Sequence, residues 1–335
     1  MKKLIVDKSE SGIKLIKYLK NIFKDMPGNL LHKLVRKKYF KINGIVASGN
    51  ETLNSGDKIS VFLGDETFEK FLHKESSRKT DDGYSIDKIK NHIVYEDDNL
   101  IVFNKWAGLL SQDDGSRSAS VNSVLNTYLT YDADVKNEKK SDGGSFVCNA
   151  YNYKPSVVNR LDRNTEGLII FAKTYAFARE ISKMISENKL EKRYKTVVNG
   201  ILDKAEGTLV NLYKKDENKN IAIIKDIDER QGAAISDFTI VELKYKVLKE
   251  YDDTSLIDVE LITGKSHQIR AQFAHIGHPI ICDKKYMDIS LYDSNVKTFK
   301  SKYQKLICYK VCFSDFENDD LKYLSNKSFE ISVNL

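Results

Sequence analysis

Between residues 157 and 173 the chain reads VVNRLDRNTEGLIIFAK, and its potentially reactive side chains are densest here. Arg160 and Arg163 bracket Asp162, and neighbouring cations favour the ionised carboxylate, the form that serves as nucleophile or base. The chain has only 9 arginines against 45 lysines, so two of them around one aspartate draw attention. Thr165 and Gly167 suit a tight turn that hands the chain to the apolar strand at 168–172. By itself such a string reads more readily as a salt-bridged loop than as a catalytic one.

Three further segments change that weighting. EDDNLIV at 96–102 precedes Lys105-Trp106-Ala107-Gly108; EKRYKTVVNG occupies 191–200; LIDVELITGKSHQIR at 256–270 leads, a few residues on, into HIGHPIICDKKY at 275–286. In this order they resemble the motifs of pseudouridine synthases of the RluA type. The Asp162 segment is similar to that family's His-Arg-Leu-Asp-x-x-Thr-Ser-Gly, and Lys105–Gly108 to its Lys-Pro-x-Gly. Residues 191–200 are similar to its Lys-x-Tyr-x-x-x-Val-x-Gly strand, and 261–270 to its Leu-x-Thr-Gly-Arg-Thr-His-Gln-Ile-Arg signature. The resemblance implies that Asp162 is the essential catalytic residue, that Tyr194 stacks on the target base, and that Arg270 pairs with Asp162 and orders it. Lys105, Arg160, Arg163, Thr165, Lys265, His267 and Gln268 are then expected around the RNA. The sequence departs from the pattern at Asn159 for His, Trp106 for Pro, Glu166 for Ser, Lys265 for Arg, Ser266 for Thr and Cys282 for Gly. Lys265 keeps the charge but not the planar fork, and Glu166 brings a negative charge close to Asp162.

The implied reaction detaches the base of a uridine, rotates it and rejoins it through carbon. Nothing is added or lost, so no cofactor and no metal are expected. A uridine inside a helix must first be flipped into a pocket. Large-subunit (23S) ribosomal RNA is the favoured substrate; transfer RNA, an inactive RNA-binding assembly factor and a uracil-releasing hydrolase are the alternatives.

These groups need a framework, and the pattern supplies one. Apolar runs at 93–96 and 99–105 read as strands about an Asp-Asp-Asn turn, residues 119–130 as a helix, and the polar stretch 131–146 as a surface loop. Residues 266–278 read as a helix with Ile269, Phe273 and Ile276 buried and Arg270 off that stripe. The implied fold class is α+β, a mixed and mainly antiparallel sheet over 91–335. Residues 1–63 differ: 13 basic against 5 acidic residues give +8, while the whole chain is +6. The remainder is therefore almost neutral, and a phosphate backbone is the natural partner of the first part. Two short amphipathic helices, at 12–23 and 30–38, precede strands around Asn43-Gly44 and at 56–63. This order resembles the αL-type RNA-binding domain, with Lys33, Arg36, Lys37 and Lys38 projecting outward. Residues 64–90 mix charges without a period and read as a linker. Four scattered cysteines make no disulfide framework, and no apolar run approaches the ~20 residues of a membrane span, so a cytoplasmic monomer is expected.

Overall fold

The computed structural model describes residues 2–6, 10–23, 26–64, 67, 68, 71, 84–137, 153–227, 237–333 and 335, with side chains left out over 132–137. Part of the expected linker and part of the expected loop at 131–146 lie outside these residues. Among the described residues no helix is long and apolar enough to cross a membrane.

The N-terminal part is a four-stranded antiparallel sheet, β1 (Lys2–Ile5), β2 (Phe40–Ile42), β3 (Ile45–Val46) and β4 (Lys58–Val61), in the order β1-β4-β2-β3. The helix Leu15–Ile22 buries Leu15, Tyr18, Leu19 and Ile22 at i, i+3, i+4 and i+7, the spacing of one helix face. The helix Gly28–Arg36 buries Leu31 and Val35 and leaves Lys33 and Arg36 in solvent, with Lys37 and Lys38 following them outward. Asn43 and Gly44 both take positive φ, +48° and +86°, which closes the β2–β3 hairpin with the twist that two-residue turns favour. Phe68 packs edge-on to Phe23, so the first core extends past residue 63.

The larger sheet has eleven strands. They are β5 (Ile93–Glu96), β6 (Leu100–Lys105), β7 (Ser156–Val157), β8 (Glu166–Ala172), β9 (Glu191–Asn199), β10 (Glu206–Asp216), β11 (Ile221–Lys225), β12 (Thr239–Glu250), β13 (Thr254–Leu261), β14 (Leu306–Cys312) and β15 (Ser328–Glu330). The order runs β11-β10-β12-β13-β9-β14-β8-β6-β5, with β15 on β14 and β7 on β8; every pairing is antiparallel except β14 with β8. Strands β6 and β8 are continuously apolar because both faces are covered. Leu100, Val102, Leu168 and Ile170 face the helices Tyr175–Ser186 and Gln268–His275, whereas Ile101, Phe103, Ile169 and Phe171 face the helix Val121–Asn137. This last helix overruns the loop expected from residue 131. The helix Gln268–His275 also differs from expectation: Ile276 follows its end and is exposed, while Arg270 is as buried as Ile269.

Candidate active site

The Asp162 loop lies between β7 and β8, and almost every residue in it is held. The Asn159 Oδ1 accepts the Ile170 N–H at 2.7 Å, while its Nδ2 is buried without a partner among the described residues. Leu161 is anchored in the core, and one hydroxyl clamps its backbone: Ser111 Oγ accepts the Leu161 N–H at 3.0 Å and donates to the Leu161 carbonyl at 2.7 Å. Thr165 donates its N–H to the Asp162 carbonyl, and its buried hydroxyl accepts from Gln304 at 3.2 Å. Gly167 closes the turn at φ +109°, and a Cβ there would fall on the backbone of Cys308. Only glycine lets β8 approach β14 this closely.

Lys105 lies beneath this loop, not at an RNA-facing surface. Its fully buried amine donates to the carbonyls of Trp106, Leu109 and Arg163 at 3.2, 3.0 and 2.9 Å. Burial pulls it down to about 7, against the attraction of Asp162 and Glu166. All three ammonium hydrogens are used to tie two loops together, so RNA is out of reach. Gln268 is likewise internal: it accepts from Thr263 and Lys265 and donates to Glu242 and Gln272. Arg160, Arg163, Glu166 and Lys265 are exposed, Arg163 with its Nε on the Gly108 carbonyl.

Arg270, from the first turn of its helix, links two carboxylates. Its Nη1 donates to Asp162 Oδ2 at 2.8 Å, while Nε and Nη2 grip the fully buried Asp283 at 2.6 and 2.8 Å. Burial works against the guanidinium charge, and the two carboxylates outweigh it, raising its pKa. The bidentate grip fixes the plane of the fork, so the Nη1–H that meets Asp162 sets the position of its carboxylate. Asp162 Oδ1 takes no hydrogen bond among the described residues. Tyr194 projects from β9 opposite Cys308 on β14 and is 5% exposed. Burial pushes its hydroxyl well up, with Cys308 and then Asp162 adding to the shift; burial likewise lifts the Cys308 thiol to about 12. Both keep their protons at neutral pH.

His267 has φ +57°, an uncommon conformation for a side-chain-bearing residue, and its Nε2 is 3.9 Å from Asp162 Oδ2. The same conformation occurs at Cys282, φ +61°, which explains why a glycine suits that position in the resembling family.

Asp162 in the turn before β8, the buried Tyr194 of β9 and the buried Arg270 of the helix Gln268–His275 thus come together. A family model for RNA pseudouridylate synthase matches residues 99–275, more than half the chain and all three of these residues. The chain belongs to the RNA pseudouridylate synthase family. It is an isomerase acting on RNA. A relative from Mycoplasma genitalium, named an uncharacterized RNA pseudouridine synthase, is 33% identical over 74% of this chain and 71% of its own length. Two proteins named ribosomal large subunit pseudouridine synthase C are also similar. The Buchnera aphidicola one is 30% identical over 80% of this chain and 75% of its own, and the Rickettsia conorii one 29% over 90% and 89%. The fold is shared with human RNA pseudouridylate synthase domain containing 1, at TM-score 0.52 and 16% identity over 75% of this chain and 85% of that one.

Sequence reading missed Ser111, Tyr286 and Asp283 as parts of this site. Asp283 and Tyr286 lie inside a quoted motif, so a signal existed for them. Ser111 carries none, since its clamp on Leu161 spans 50 residues of chain.

Proposed function

We propose that this synthase acts on uridines of large-subunit ribosomal RNA. Supporting this, the relatives named for that substrate match over most of their length. Lys33, Arg36, Lys37 and Lys38 form one exposed edge of that module, suited to a phosphate backbone, which fixes position without reading sequence. The observation that carries the catalytic reading is the asymmetry of Asp162: Arg270 occupies one oxygen and the other is open.

Breaking the bond between N1 and C1′ leaves electron deficiency at C1′, and an aligned carboxylate meets it as nucleophile or counter-charge. The freed uracil keeps the bonding pair, turns within the pocket and bonds to C1′ through C5. The C5 proton is then lost and N1 gains one, so the product is an isomer. Tyr194 offers an apolar ring for the base to stack on and a neutral hydroxyl. Arg160, Arg163 and Lys265 are exposed, which suits outer contacts to the RNA.

Pseudouridine mapping in ribosomal and transfer RNA, from cells with and without this gene, tests the reading. Signal should vanish at one or more large-subunit uridines and return with the wild-type gene but not with Asp162→Asn. Loss confined to transfer RNA would overturn the ribosomal assignment.

A further inference from the structure

His267 is placed to act in the reaction, and its protonation can be read from its partners. Its Nδ1 lies 3.0 Å from Tyr286 Oη, and that same oxygen accepts the Ala222 N–H at 2.6 Å. A tyrosine hydroxyl has one hydrogen to give. With the Ala222 bond accepted, sending the Tyr286 proton to Nδ1 uses that hydrogen, whereas the reverse would leave it unused and set the bare Nε2 lone pair against the Asp162 carboxylate 3.9 Å away. Nδ1 is then an acceptor and the ring proton sits on Nε2. The groups around the ring agree with a neutral imidazole. Burial is the largest influence; Asp162 and Asp283 attract a proton, Arg270 and Lys285 oppose one, and the result is a fall to about 4. Tyr286 is half-buried, its ring 5.2 Å from the Arg270 guanidinium; partial burial pushes its hydroxyl up to about 12, against the pull of Arg270, and it keeps its proton.

The Nε2–H group points toward the catalytic carboxylate, but 3.9 Å is too long for a hydrogen bond to Asp162 Oδ2. Among the described residues it has no other acceptor, although the side chain is only 10% exposed. A buried donor left open next to a reacting carboxylate needs an acceptor from the substrate.

Resting on the pseudouridine synthase reading above, we propose that neutral His267 donates its Nε2–H to O2 of the flipped uracil. O2 is the oxygen nearest the bond that breaks, and it takes up charge as N1 leaves C1′. A neutral donor stabilises that charge without neutralising Asp162, which a protonated histidine would pair with instead. Tyr286 is the positioning residue that fixes the tautomer.

Two measurements test this separately. Nitrogen-15 NMR of the free enzyme, with His267 assigned by comparison with His267→Gln, should show the Nε2–H tautomer from pH 6 to 8. An Nδ1–H tautomer or an imidazolium in that range would overturn the assignment, whatever the activity. In single-turnover assays on unmodified ribosomal RNA, His267→Phe should slow the reaction about 100-fold, the loss typical of one donor to developing charge. RNA affinity should be unchanged, and His267→Gln, which offers an N–H at a similar reach, should recover most of the rate. A 2-thiouridine substrate, whose sulfur accepts poorly, should slow wild type but add little to His267→Phe. Full additivity of the two losses, or a Gln variant as slow as Phe, would overturn the role. A wild-type enzyme producing no pseudouridine would instead count against the activity itself and leave the NMR result standing.

Discussion

Through Arg270, the geometry makes the Asp162 carboxylate depend on Asp283. Two of the three Arg270 hydrogen bonds to carboxylates go to Asp283, at 2.6 and 2.8 Å, and Asp283 is fully buried. Asp283→Asn preserves the shape but replaces one acceptor oxygen with an NH2 group facing an arginine N–H. Breaking a buried ion pair outright costs about 3–5 kcal/mol. Because the amide keeps one acceptor, and Asp162 still faces the guanidinium, we expect a loss of about 2–3 kcal/mol. Urea denaturation should show this as a lower midpoint at unchanged slope. Released from its bidentate grip, the fork can rotate and carry the Asp162 oxygen with it. Misplacement of a reacting group by an ångström costs about 100-fold, so single-turnover rates should fall by 10- to 100-fold (about 1.4–2.7 kcal/mol), with RNA affinity little altered. A variant that is destabilised but reacts at the wild-type rate when folded would refute the positioning role. A variant of unchanged stability would refute the energetics as well.

Gly167→Ala should fail to accumulate as folded protein, because its Cβ coincides with the Cys308 backbone at positive φ; a soluble variant with a normal melting curve would contradict the β8–β14 packing. Replacing Lys33, Arg36, Lys37 and Lys38 together by Gln should weaken RNA binding and flatten its dependence on salt, by up to roughly 3–4 in the log–log slope if each meets one phosphate. An unchanged slope would remove this edge from the interface. His267 is held below its ordinary pKa, so between about pH 6.5 and pH 4 the unfolded chain binds a proton that the folded one does not. Stability from this residue is therefore fully present above pH 6.5 and is lost as pH falls toward 4, by up to about 3 kcal/mol. Denaturation midpoints across that range should fall less steeply in His267→Gln, and parallel curves would contradict the burial of a neutral imidazole.

Much of this site is legible in one sequence because its parts are local. Asp162 with its turn, and Arg270 on its helix, sit in short segments whose residue types are set by close chain geometry. The strands β6 and β8 are equally readable, since burial on both faces leaves continuous apolar runs. What escapes is whatever depends on distant chain. Lys105 is expected around the RNA until three carbonyls, one of them 58 residues away, are seen around its amine. Ser111 is an ordinary serine until Leu161 folds against it. Arg270, expected off the buried stripe and facing a partner, is buried because Asp283 and Asp162 compensate its charge from either side. The helix from Val121 continues through Asn137 although residues beyond 130 lack the apolar period that would announce it.

The strand order carries a consequence for how the enzyme is made. β8 and β9 follow each other closely along the chain, yet β14 lies between them and pairs with both. β14 is synthesised about a hundred residues after β9. Until it emerges, the strand carrying Tyr194 is paired on one side only, with β13, and the turn at Gly167 has nothing to close against. A nascent chain can form its N-terminal basic module early, since that module's core is drawn mostly from the first residues to appear. The chemistry must wait for one of the last strands. Translation itself thus orders the assembly, with the basic module able to fold before the Asp162 site is complete.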